Sequence, residues 1–150
     1  MYYFPKKMAA IYSAGIFFII LDRFLKTLAI YEPERQFNLI GEIFKFSFKA
    51  NYRIAFSLPL SGPVLEIILT LIILVLIGLS LFYRYKREFT ALAPLCLIIL
   101  GAASNLFDRF KHGFVIDYLD LKYFTVFNLA DAMIVTGVIL LIIKLNKKSA

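Results

Sequence analysis

Asp117 and Asp131 are the residues of this chain best placed to do chemistry. One lies in a loop-like stretch and the other in the first turns of an apolar helix, so two different elements can supply them. Two carboxylates facing each other where water is scarce cannot both ionise easily. One tends to keep a proton while the other stays charged. Such a pair can act as acid and base on water and a carbonyl without metal or cofactor. Around it, the stretch Gly101–Ile134 gathers Asn105, Asp108, Arg109 and Asn128, with apolar runs of membrane length on either side. Ionisable groups at membrane depth are costly enough to read first as functional.

The elements that must position these groups follow from composition. The 150 residues suit one domain, and 61% of them are hydrophobic, against roughly 45–50% in soluble domains. An integral membrane protein is expected, a single membrane domain over residues 1–150. Its spans are expected at about 8–31, 63–83, 89–107 and 127–143, with outer loops at about 32–62 and 108–126. Met8–Leu21 resembles a signal peptide, but no small-residue cleavage site follows it. Continued through Lys26 to about Tyr31, it reaches the ~20 residues that a span needs.

The net charge of +7 would suggest nucleic acid in a soluble protein. Here Lys6, Lys7, Arg84, Lys86, Arg87, Lys144, Lys147 and Lys148 fall outside the apolar runs on one side. Against Glu88 alone they account for the whole excess, because the other nine bases meet nine acids. That asymmetry is the positive-inside signature. It predicts four spans with both termini cytoplasmic and no nucleic-acid partner.

Ile43–Lys49 alternates with period two, the pattern of a half-buried strand. Phe114–Phe124 is suited to an extended segment that holds Asp117 between apolar neighbours. The expected fold is therefore an all-α integral membrane protein, a four-transmembrane-helix bundle with a small extracytoplasmic β-rich platform. Gly101, Asn105, Asp108 and Arg109 share one helical face at i, i+4, i+7 and i+8, as do Asp22 and Lys26 at i and i+4.

Each polar residue has an ordinary explanation. Asp22 with Lys26 makes a helix-end ion pair. Asn51 after a strand is a turn residue. Asp131 stabilises a helix N-terminus or pairs with Arg109, and the Gly101 face is helix–helix glue. Their convergence on one leaflet from four segments is what those explanations leave over. The lone Cys96 excludes an internal disulfide and lacks the setting of a reactive thiol. No His/Cys spacing supports a metal site.

Five motifs in order resemble those of the bacterial lipoprotein signal peptidases, or signal peptidase II. They are Asp22 through Lys26 (D-x-x-x-K), Asn51 with Ala55-Phe56 (N-x-G-x-A-F), Gly101 through Arg109 (G-x-x-x-N-x-x-D-R), Val115 through Tyr118 (V-x-D-[FY]), and Phe127 through Asp131 (F-N-x-A-D). Arg53 stands where the second motif has glycine. Leu100 and Ser104 replace glycines common in the third.

The resemblance implies an intramembrane aspartic endopeptidase of the bacterial inner membrane, with Asp117 and Asp131 catalytic near the outer leaflet. Its substrate is a prolipoprotein cut just before a cysteine that carries diacylglycerol. It further implies that Asp22, Asn51, Asn105, Arg109, Asn128 and Ala130 support the site or the substrate, and that Lys26, Gly101 and Asp108 serve the structure. No cofactor or metal is expected, membrane lipids are partners, and the protein is expected to be a monomer. Two other classes compete: a small proton-coupled carrier, and an inactive relative that binds lipoproteins with Arg53 blocking the groove.

Overall fold

A computed structural model describes residues 6–52 and 62–149, and side-chain surroundings for 9–52 and 62–146. Arg53, Ala55 and Phe56 of the second motif lie outside the described residues. Four long helices and a four-stranded antiparallel sheet make up the described residues. Helix α1 runs from Lys6 to Tyr31, β1 from Phe37 to Ile40, β2 from Phe44 to Asn51 and α2 from Pro63 to Tyr85. A short 3-10 turn at Phe89–Ala91 leads into α3, Leu92–His112. Strands β3 (Val115–Leu121) and β4 (Val126–Phe127) precede α4, Leu129–Ser149.

Each helix end has a local cause. Pro63 opens α2 where its missing N–H costs nothing, directly after Gly62 at φ 74°. Arg87, at φ 58°, closes α2 in the left-handed conformation. Its N–H donates to the Arg84 carbonyl and that of Glu88 to the Tyr83 carbonyl, the paired bonds of a Schellman motif. Gly113, at φ 80°, stops α3 and turns the chain into β3.

Among the described residues, three helical stretches are long and apolar enough to cross a membrane: Pro63–Tyr85, Phe89–His112 and Leu129–Asn146. At 26 residues α1 has the length, but Asp22, Arg23 and Lys26 interrupt its second half. Leu65 is the one buried residue of α2, whereas α3 buries a face along its whole length. So α3 is the central helix. It lies close against α4, where a Cβ on Gly101 would come 2.5 Å from the Ala130 carbonyl oxygen and one on Gly137 2.7 Å from that of Pro94.

The strands lie in the order β1-β2-β3-β4. Phe46 stacks on Phe37 with ring centroids 4.9 Å apart and tilts against Tyr118 at 5.7 Å. Phe46, Tyr118 and Ile116 bury themselves with Ala29 of α1, which ties the end of that helix to the sheet. The alternation at Ile43–Lys49 falls in β2, as expected. Strands β1 and β4 were not expected, and α3 runs on to His112, past the end expected near residue 107. A short edge strand and a two-residue strand carry too few residues to show periodicity.

Candidate active site

Strand β3 and the first turn of α4 bring Asp117 and Asp131 to a single linking residue, Asn128. Asn128 sits just before α4, and its Oδ1 accepts the Asp131 N–H at 2.9 Å. Asp131 Oδ2 in return accepts the Asn128 N–H at 3.2 Å. This reciprocal pair is a capping box, which satisfies two of the N–H groups that a helix start leaves orphaned. The same Asn128 turns its Nδ2 to Asp117 Oδ1 at 2.7 Å and to the Ile116 carbonyl at 3.4 Å. One amide side chain therefore starts the helix and joins the two aspartates.

Asp117 is 1% exposed. Its second oxygen accepts Asn51 Nδ2, from the end of β2, at 2.9 Å. Burial first, and the negative field of Asp131 second, push its carboxyl up to about 7. The two asparagine bonds and Lys26 pull the other way but do not cancel that rise. Near neutral pH this carboxyl can hold or release a proton.

Behind Asp131 lies a buried ionic lattice. Asp131 Oδ1 accepts Asn105 Nδ2 at 2.7 Å, and Asn105 Oδ1 accepts Lys26 Nζ at 2.7 Å. Lys26 has no exposed surface and also meets Asp108 Oδ2 at 2.7 Å and Asp22 Oδ2 at 3.2 Å. Arg23 Nη1 holds the other oxygen of Asp108. Asp22 is fully buried and accepts four donors: Lys26 and Ser104 on Oδ2, the Tyr118 hydroxyl and the Ala130 N–H on Oδ1. It therefore fastens α1 to α3, β3 and α4 at one point.

Arg109 is buried on α3, donates to the Tyr52 carbonyl at 3.5 Å and interacts electrostatically with Asp117, Glu66, Asp131 and Asp108. Ala130 is fully buried, its N–H on Asp22 and its carbonyl against Gly101. Asp108 also accepts the Ile116 N–H at 3.3 Å, which fixes the strand beside Asp117.

Three contributors escaped the sequence reading. Tyr118 looked like apolar flanking, yet its hydroxyl donates to Asp22 and accepts the Leu129 N–H at 3.1 Å. Burial, and then Asp22, push that phenol well above its usual range. Arg23 was overlooked between Asp22 and Lys26. Ser104, read only as a replaced glycine, donates to Asp22 at 2.7 Å. The polar residue types themselves were the available signal, because a hydroxyl or guanidinium buried in an apolar bundle must find a partner.

The signal peptidase II family model matches residues 14–147. A lipoprotein signal peptidase of Halothermothrix orenii is 34% identical over 139 residues, covering 90% of this chain and 94% of that protein. One from Caldicellulosiruptor bescii is 38% identical, covering 81% of each. The solved structure of a bacterial membrane enzyme superposes with a TM-score of 0.80 at 25% identity, covering 99% of this chain and 92% of that one. A match over nearly the whole length, at this identity and in this fold, places the chain in the signal peptidase II family of membrane peptidases.

Proposed function

We propose that the protein is an aspartic endopeptidase that removes the signal peptide from diacylglyceryl-modified prolipoproteins, cutting before the lipidated cysteine. The observation that carries this reading is the linked pair: Asp117, pushed up to about 7, joined to Asp131 through Asn128. In the proposed cycle Asp131 is the charged member, since the N-terminus of α4 and its two donors favour a carboxylate there. It takes a proton from water as the water attacks the scissile carbonyl. Protonated Asp117 gives a hydrogen bond, then a proton, to the carbonyl oxygen. Collapse reverses the two roles and protonates the leaving amine.

The remaining residues have supporting parts in this proposal. Asn51, Asn105 and Asn128 orient the carboxylates, and Arg109 limits their repulsion. Asp22, Lys26, Asp108, Ala130 and Gly101 hold the helices that carry them. Helix α1 is the fourth span, its charged half buried against α3. Both termini are cytoplasmic, the sheet lies at the outer leaflet, and the working unit is a monomer among membrane lipids. The name carried by the relatives and the positive-inside distribution support this placement.

The test is cleavage of a lipobox precursor by the purified chain in detergent, with chelator present. Cleavage of only the diacylglyceryl-modified precursor, abolished by Asp117→Asn and by Asp131→Asn in folded protein, is the expected result. Full turnover by either variant would remove that aspartate from the chemistry. A folded sample that neither cuts nor binds the precursor would overturn the peptidase reading.

A further inference from the structure

A partly polar cavity lies away from the aspartates. It occupies about 310 Å3 and is lined by Arg23, Thr27 and Tyr31 of α1, Lys111 and His112 at the end of α3, and Ile116 of β3, among others. Its volume is at the lower end of the ~300–1,000 Å3 typical of ligand sites. Successive strand residues point to opposite faces, so Ile116 and Asp117 look away from each other. Neither Asp117 nor Asp131 lines this cavity.

Its charge is one-sided. Arg23, Lys111 and His112 line it and no acid does. Phe107 gathers two of the bases: the Arg23 guanidinium carbon lies 4.8 Å from its ring centroid and Lys111 Nζ 5.9 Å. Arg23 is also held by Asp108 through Nη1, but Lys111 makes no ion pair with any described acid. With Arg23 already balanced by Asp108, Lys111 is the cation left at the cavity without an ion pair among the described residues, and its charge favours an anion there. Membrane position says which kind. His112 is the last residue of a helix long and apolar enough to span, so the cavity lies at a hydrocarbon boundary. Phe107, whose ring meets Arg23 and Lys111, is 51% exposed, and Phe24, between the lining residues Arg23 and Thr27 along α1, is 64% exposed, apolar side chains available to acyl chains. Tyr31, at the rim, suits the interfacial belt.

We infer that this cavity binds the phosphate headgroup of one anionic phospholipid, with its acyl chains lying along Phe24 and Phe107. The inference stands apart from the peptidase reading, since it uses neither aspartate.

The experiment is native mass spectrometry of the purified chain released from micelles containing equal amounts of phosphatidylglycerol and phosphatidylcholine of the same chain length. The wild type is expected to retain one phosphatidylglycerol preferentially. Lys111→Gln should weaken that retention about fivefold, the loss of one basic contact to an anionic lipid, and Lys111→Glu should abolish it. Lys111 is exposed, so folding is not at stake. Lys122→Gln, in the turn after β3, outside the cavity lining and paired with Glu42, should leave retention unchanged. Equal retention of both lipids, loss of the preference in Lys122→Gln as readily as in Lys111→Gln, or displacement of the lipid by excess inorganic phosphate would each overturn the proposal.

Discussion

Lys26 Nζ donates to Asn105 Oδ1 at 2.7 Å, and that bond dictates which end of the Asn105 amide faces Asp131. With its oxygen held by the ammonium, only the NH2 is left for the carboxylate. An ionic lattice whose Lys26, Asp22 and Asp108 are fully buried thus sets the donor geometry at the candidate site.

Removing Lys26 should be costly to the fold. Lys26→Met leaves Asp22 and Asp108 buried with one cation fewer, and breaking a buried pair from one side costs about 3–5 kcal/mol. The expected outcome is a large fall in thermal stability in detergent. Lys26→Met with Asp108→Asn should recover part of it, and an unchanged melting temperature in Lys26→Met would contradict the lattice.

Asp117 gives a pH signature in stability. Its folded value, about 7, lies above the ordinary 3.8. The stability it favours is therefore complete below about pH 4 and lost as pH rises through about 7. Asp117→Asn, which cannot ionise, should be more stable than the wild type above pH 7 by about 2–4 kcal/mol. The difference should shrink as pH falls toward 4. Parallel unfolding curves at pH 5 and 8 for the two proteins would refute the shift.

The same value bears on rate. If protonated Asp117 supplies the acid, cleavage should decline as pH rises past about 7. Asn51→Ala removes a hydrogen bond that favours the charged form. The descending limb should then move to higher pH while turnover falls, which a pH–rate profile would show. A limb that stays in place would detach Asn51 from the titration.

Gly101→Ala should separate α3 from α4. Its Cβ would meet the Ala130 carbonyl oxygen at 2.5 Å and Ile134 Cγ1 at 2.9 Å, one turn from Asp131. Stability and cleavage should both drop, in the ~1–3 kcal/mol range of overpacking. Gly78→Ala is the control: nothing lies within 4 Å of its Cβ, and helix propensity predicts a gain of about 0.5–1 kcal/mol. Equal effects at the two positions would remove close packing as the cause.

Tyr118→Phe deletes one hydroxyl that serves both Asp22 and the Leu129 N–H. Leaving buried groups short of a partner costs about 1–3 kcal/mol, to be read as a lowered melting temperature with the sheet intact by circular dichroism.

Hydropathy and charge made the long helices legible, and period-two alternation made β2 legible. The continuation of α1 to Tyr31 followed from span length alone. Arg23 and Ser104 were harder to read, because their partners lie about 80 positions away along the chain and no local pattern encodes a contact between helices. Gly137 was missed for the same reason: it matters only because Pro94 and Ile98 of α3 press against it. Asn128 stood in a quoted motif, but its linking role depends on α4 starting at Leu129 rather than near residue 127. That boundary comes from side-chain capping, not from apolar periodicity, so the sequence alone does not place it.

The cap of α4 has a thermal consequence. Helix ends open at far lower free energy than a whole domain. Opening the first turn of α4 breaks the Asn128–Asp131 bonds, and the Asn128 side chain then loses its fixed aim at Asp117. The site can thus come apart by fraying while the bundle stays folded. On warming, its geometry should disappear several degrees before the helices melt, with the amide protons of Asn128 and Asp131 exchanging ahead of those deeper in α4.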